Sequence, residues 1–179
     1  LVVGGLDRVY EIGRDFRNEG VSRKHNPEFT MLECYQAYTD YHGMMELAES
    51  MFEHVAERVA GGTKLEYQGQ TIELKGPYPR ITIRDALLEA CGVDILAAPD
   101  LESLRQAVRA AGLEPGDAPT WGRMVDQLFG EKVEPALVQP TFMTDYPVEL
   151  SPLAKRKASD PRLVERFELF VAGMELGNA

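Results

Sequence analysis

The feature that most restricts this chain is an interrupted two-residue rhythm near its start. Residues Arg8 to Arg17 alternate as an extended strand does, and Val9 and Tyr10 add β preference. The alternation stops in a polar stretch from Asn18 to Asn26, which holds Gly20 and ends before Pro27, the composition of a loop. It resumes from Phe29 to Tyr38 in a segment rich in aromatics. A strand, a charged loop and a second strand make a hairpin with a long tip. Side chains two apart on a strand share a face, so Phe29, Met31, Glu33 and Tyr35 stand together. Arg17 and Glu19 share a face by the same rule, if extended backbone runs that far.

The remainder alternates between helical and strand patterns. From Tyr41 to Ala60, Met44, Leu47, Ala48, Met51, Phe52, Val55 and Val59 form one helical stripe, closed by Gly61-Gly62. Lys64 to Lys75 predicts a short hairpin turning at Gln68-Gly69, and Arg80 to Ile83 a further short strand. Helices are predicted over Arg84–Cys91, Asp100–Ala111 and Thr120–Phe129, with Asp100 and Thr120 as N-caps and Gly92 and Gly112 as stops. The segment 93–135 carries no chemical constellation and reads as a helical insertion, with Trp121 as its packing anchor. β character returns over Thr141–Tyr146 and from Leu163 to Leu176. Strands at both ends with helices between them give the α+β class, an antiparallel sheet flanked by helices.

Composition narrows the setting. The 179 residues can bury a real core, and 44% hydrophobic with 27% charged residues is ordinary for a globular protein. No apolar run approaches the ~18 residues needed to span a bilayer, and no secretory leader opens the chain. Cys34 and Cys91 are isolated, so a reduced, cytoplasmic location with no membrane partner is expected. A net charge of −10 opposes generic nucleic-acid binding: DNA is not an expected partner, and contact with RNA would have to be local. A chain that begins at Leu1 and stops at Ala179 without a polar tail reads as a piece of a longer protein.

The hairpin face gathers a guanidinium, two carboxylates, an aromatic ring and a phenol. Arg17 offers a planar fork to phosphate oxygens, and Phe29 a ring on which a purine can stack. A carboxylate can accept from an exocyclic amine, and Glu33 with Tyr35 can hold a primary ammonium. The set suits a nucleotide beside an ammonium-bearing ligand, although a surface hairpin with ordinary salt bridges would use the same residues. Elsewhere His42 and His54 lack metal-ligating neighbours, and Lys155-Arg156-Lys157 reads as a solvated basic turn. Cys34 alternates away from Glu33 and lacks a base, which argues against a thiol nucleophile.

The stretch from Val9 to Leu47 resembles motif 2 of the class II aminoacyl-tRNA synthetases: an Arg and Glu, a variable loop, then a His or Arg and a Phe. The longer strings FRNEG, HNPEFTMLE, YQAYTDY, PTFMTDYPVELSPLAK and FELFVAGMELGN are similar to the class II lysyl-tRNA synthetases. The resemblance implies ATP-dependent activation of L-lysine to lysyl-adenylate and its transfer to tRNA(Lys), by a homodimeric full-length enzyme. It implies that Arg17 is catalytic, contacting the ATP α-phosphate and the lysine carboxylate. Glu19 would meet the adenine amino group, His25 the phosphates and Phe29 the adenine ring, while Glu33, Tyr35 and Asn178 line the lysine pocket. Glu168 and Glu175 match the carboxylates that hold Mg²⁺ on ATP. Motif 1, motif 3 and the anticodon-binding barrel would lie outside these 179 residues, so the piece alone is expected to be inactive.

Two points temper the match. The family often has Arg immediately before the motif 2 His, where this chain has Lys24, a point charge, with Arg23 one place earlier. Glu168 and Glu175 are seven apart, so on one straight strand they would face opposite sides; a bend or tight hairpin near Gly173 is needed to unite them. Strand glutamates are ordinarily solvated, but hard oxygen donors do suit Mg²⁺. Three alternatives remain: a paralogue that lysylates a protein (elongation factor P), a relative acting on aspartate or asparagine, and a non-catalytic module. The charge of Glu33 argues against the second. Retention of Arg17, Glu19, Phe29, Glu168 and Glu175 together argues against the third.

Overall fold

The computed structural model describes residues 1–22 and 25–179. It divides into two compact units, Leu1–Gly43 and Met44–Ala179. The first is a ribbon of two antiparallel strands, β1 (Arg8–Phe16) and β2 (Glu28–Gln36), as the alternation predicts. Each strand stops slightly earlier than the pattern suggested. The register runs from Arg8↔Gln36 to Phe16↔Glu28 without a slip. One face therefore presents Phe29, Met31, Glu33 and Tyr35 beside Asp15, Gly13, Glu11 and Val9. The other presents Tyr10, Ile12, Arg14 and Phe16, and the Arg14 guanidinium pairs with Glu28.

The boundary between the units falls within helix α1 (Tyr41–Ala60), whose span matches the helical pattern. Asp40 starts it by accepting from the Gly43 amide at 3.0 Å, a bond that also holds the Asp40 carboxyl below its ordinary range. The expected apolar stripe coincides only in part with the inward face: Met44, Ala48, Met51 and Phe52 are half-buried. Met45 and Ala56 are buried, while Val55 and Val59 stay exposed. Glu49 explains the rotation: its carboxylate accepts from the Tyr78 amide at 3.0 Å and lies 3.9 Å from the Arg80 guanidinium, so the helix face at 45, 49 and 56 turns inward.

In the second unit, β3 (Lys64–Tyr67) and β4 (Gln70–Glu73) form the expected hairpin, with Gln68 and Gly69 left-handed at its turn. Strands β5 (Arg80–Thr82), β6 (Thr141–Thr144), β7 (Phe167–Val171) and β8 (Met174–Asn178) form a four-stranded sheet in that order. The α+β class is borne out, with richer pairing than one antiparallel sheet: among the described residues the strands make three sheets, and β5 runs parallel to β6. Parallel neighbours need a long crossover, here supplied by α2 (Ile83–Cys91), α3 (Leu101–Ala110) and α4 (Trp121–Lys132). Asp100 and Thr120 cap their helices as expected, and Thr82 caps α2 in the same way.

All four residues of β6 are buried. On one face Phe142 meets Phe167 edge-on at 5.1 Å. On the other, Met143 joins a core with Leu87, Leu104, Val108, Val125, Phe129 and Phe170. Segment 93–135 thus shares its core with the sheet. Trp121 anchors it, its indole N–H donating to the Ala98 carbonyl at 2.6 Å. Among the described residues no helix is long and apolar enough to cross a membrane.

One ion pair ties α2 to the chain that follows it. Arg84 donates twice to Asp94, and this guanidinium, aided by the Leu96 amide, holds the Asp94 carboxyl down at about 2. A depressed carboxyl stabilises the fold fully above its unfolded value near 3.8 and loses that contribution as pH falls through about 2. Asp94→Asn is therefore expected to lower the urea midpoint at pH 7, with the deficit closing between pH 4 and pH 2. Equal deficits at both pH values would exclude the pair as the cause.

Candidate active site

Arg17 lies one residue beyond β1, and its amide donates to the Pro27 carbonyl at 2.9 Å, extending the ribbon by one pairing. The guanidinium carbon lies 5.2 Å from the centroid of the Phe29 ring. A cation over a ring face is attracted by the ring's quadrupole, so Phe29 orients the fork of Arg17. Glu19 departs from the expectation of a shared face. Its amide turns back to the Arg17 carbonyl at 2.9 Å, so the backbone is no longer extended and strand alternation does not apply there.

His25 is exposed and hydrogen-bonded to Ser22. Its amide donates to the Ser22 hydroxyl at 3.0 Å, its ring Nδ1 lies 3.1 Å from the same oxygen, and the Ser22 amide donates to the His25 carbonyl at 2.9 Å. Arg23 and Lys24 lie outside the described residues. Further along the same ribbon face, the Tyr35 hydroxyl lies 3.5 Å from Glu33 Oε1, and both side chains are exposed. The register adds two acids that the sequence reading left out: Asp15 sits opposite Phe29 and Glu11 opposite Glu33. Cross-strand pairing was the signal that would have found them. The face is thus acidic, with one guanidinium at its end, and it suits a cationic group along its length and an anionic one near Arg17.

In the second unit β7 and β8 are joined by the tight hairpin that Glu168 and Glu175 require, with Ala172 at φ 53° and Gly173 at φ 69°. Its register pairs Glu168 with Asn178 and Phe170 with Glu175, slipping by one residue in between. Without that slip Glu175 and Asn178, three apart, would face opposite sides; the bulge at Leu176 brings Asn178 to the face of Glu168 and Glu175. The Asn178 amide donates to Glu175 Oε1 at 3.1 Å.

Glu168 is largely buried and accepts from the Tyr146 hydroxyl at 2.7 Å and from the Arg166 guanidinium. Burial, then the nearby Glu175 charge, push its carboxyl above the ordinary range. It borders a cavity of about 420 Å³, whose rim also carries Arg123 and Asp126 from α4. Among the described residues there is no group of three or more His, Cys, Asp or Glu side chains able to hold a metal ion. Two carboxylates on one face nevertheless fit Mg²⁺, which keeps several waters and takes phosphate oxygens to fill its shell.

The basic turn differs from expectation. Lys155 pairs with Glu165 at 3.2 Å, and Lys157 is mostly buried against Asp145, so the turn is pinned to its neighbours instead of solvated throughout.

Residues 1–179 match the family described as tRNA synthetases class II (D, K and N), and the chain belongs to that family. Similar proteins within it are a lysine–tRNA ligase of Roseiflexus castenholzii (strain DSM 13941 / HLO8), 58% identical over 179 residues, and one of Chloroflexus aurantiacus (strain ATCC 29366 / DSM 635 / J-10-fl), 52% identical. A lysine–tRNA ligase of Synechococcus sp. (strain CC9902) is 53% identical over 180 residues. Each match covers 100% of this chain, which spans 36 to 37% of the length of these relatives.

The turn that carries the two glutamates holds a non-glycine residue, Ala172, in left-handed backbone. That conformation costs an L-residue roughly 1–2 kcal/mol. Glycine gives back roughly 0.5–1 kcal/mol through its freer unfolded chain. Ala172→Gly is expected to stabilise the second unit by the balance, about 0.5–1 kcal/mol, read as a higher urea midpoint. A lowered midpoint would contradict the turn geometry.

Proposed function

We propose that this chain is part of the catalytic domain of a class II lysine–tRNA ligase, which joins L-lysine to ATP as lysyl-adenylate and then passes the lysyl group to tRNA(Lys). The observation that supports it most directly is the ribbon face on which Arg17 lies over Phe29 while Glu33 and Tyr35 follow along the same strand. The family match over residues 1–179 and the lysine–tRNA ligases among the relatives support the choice of amino acid.

In the first step a lysine carboxylate oxygen attacks the α-phosphorus, the bond to the bridging oxygen breaks, and pyrophosphate leaves with the electron pair. No covalent bond to the protein forms, so catalysis is positioning plus charge compensation. Phe29 stacks on adenine, Glu19 accepts from its amino group, and Arg17 donates to the α-phosphate and to the lysine carboxylate. As negative charge builds on the pentavalent phosphorus, this forked cation offsets it. His25, fixed by Ser22, donates to the departing phosphates. Glu33 and Tyr35 accept from a lysine ammonium, the family likeness gives Asn178 a role in lysine binding as well, and the acidic strip of Glu11 and Asp15 favours a cationic substrate over an acid or amide.

Glu168 and Glu175 would hold Mg²⁺, which neutralises phosphate charge when bound with ATP. The segment 93–135 is read as an insertion that backs the sheet beneath Glu168. The working protein is a cytoplasmic homodimer of the relatives' length, and the 179 residues alone do not complete the reaction.

The test is lysine-dependent ATP–pyrophosphate exchange in the full-length enzyme. Arg17→Ala is expected to lower the exchange rate by at least roughly 10²-fold, the scale of losing one donor to developing charge. Exchange near the wild-type rate would contradict the assignment.

A further inference from the structure

Of the two carboxylates assigned to Mg²⁺, Glu175 is exposed, whereas the Glu168 side chain retains 13% of its exposure. A carboxylate taken out of water needs partners that favour its charge, and both oxygens of Glu168 have one. Tyr146 donates its hydroxyl to Oε2 at 2.7 Å, and Arg166 donates Nη2 to Oε1. These partners also hold each other. The Arg166 guanidinium carbon lies 4.8 Å from the centroid of the Tyr146 ring, and its Nη1 donates to the Ser151 hydroxyl at 3.1 Å. The phenol belongs to the buried core that also holds Met143 and Phe170, and β7 carries Glu168 between β6 and β8. The carboxylate plane is therefore fixed at both ends by groups that are themselves fixed.

Each carboxylate oxygen can accept two hydrogen bonds or coordinate a cation with its second lone pair. With one site on each oxygen taken, the remaining lone pairs have set directions. Groups that hydrogen-bond a ligating side chain orient it and tune its affinity, and their loss costs metal binding about 10–100-fold.

We propose that Tyr146 and Arg166 are positioning residues for Glu168: together they fix its carboxylate for the Mg²⁺ that accompanies ATP. The proposal rests on reading Glu168 as a magnesium carboxylate. It differs from a space-filling role in what it demands of Tyr146, whose single O–H matters beyond its ring, and of Arg166, whose fork matters beyond its charge.

The experiment is isothermal titration calorimetry of a non-hydrolysable ATP analogue into the full-length enzyme at a series of Mg²⁺ concentrations, with melting temperatures measured in parallel. Tyr146→Phe keeps the ring, and Arg166→Lys keeps the charge while losing the fork. Each is expected to raise the Mg²⁺ concentration that half-saturates the gain in analogue affinity by about tenfold, leaving metal-free affinity at the wild-type value. A lower melting temperature with unchanged Mg²⁺ dependence would overturn the proposal, because only a structural role would remain. Tyr146→Phe decides alone if Arg166→Lys does not fold. Glu168→Gln separates the two readings. Wild-type Mg²⁺ dependence in Glu168→Gln would overturn the magnesium assignment and the proposal with it. Lost dependence in Glu168→Gln, with none of it lost in Tyr146→Phe or Arg166→Lys, would overturn the positioning role alone.

Discussion

An antiparallel register that runs the length of β1 and β2 without a slip governs everything the first unit can do chemically. Side chains alternate faces along a strand, so a shift of one residue would send Phe29 and Glu33 to the side of Thr30 and Leu32. The register is pinned beyond both ends, where the Ala37 amide donates to Asp7 and the Arg17 amide to Pro27. The Arg14–Glu28 pair crosses the opposite face, where its charges do not compete with Arg17. Because Arg17 leaves the strand while still hydrogen-bonded to its partner, its side chain reaches the ring of Phe29 instead of turning into the loop.

The second unit solves the reverse problem. The tight turn at Ala172-Gly173 unites Glu168 with Glu175, and one extra residue in β8 brings Asn178 to the same face. The bulge and the left-handed pair Ala172-Gly173 both strain or interrupt the ladder, yet together they place Glu168, Glu175 and Asn178 on one face. Burial then treats the two glutamates differently. Glu175 stays in water with Asn178, while Glu168 is enclosed and accepts from Tyr146 and Arg166.

Local signals were read well from sequence because they are set by neighbours in the chain. The spans of α1 and α3, the caps at Asp100 and Thr120 and the hairpin turns at Gln68-Gly69 and Gly173 all follow from residues within a few positions. The failures lie where a distant partner decides. Glu49 faces inward on α1 because Tyr78 and Arg80 meet it, and no periodicity in 41–60 carries that information. Lys157 is buried by Asp145, and Glu11 and Asp15 join the acidic face only through cross-strand register. In the candidate site, Phe29, Glu33 and Tyr35 were legible from alternation alone. The contact of Arg17 with Phe29 was not, since it depends on where the strand stops.

An acidic chain can attract an anion only where a few cations are gathered, and its remaining charge favours an ammonium. On the ribbon this division is spatial: the guanidinium sits at one end, the carboxylates along the strands. The most direct measurement is a crystal structure of the full-length enzyme with a non-hydrolysable ATP analogue and lysine. The expected result is adenine stacked on Phe29, the α-phosphate at Arg17 and a lysine ammonium against Glu33 and Tyr35. Adenine bound elsewhere, with the Phe29 ring left to Arg17 alone, would contradict it.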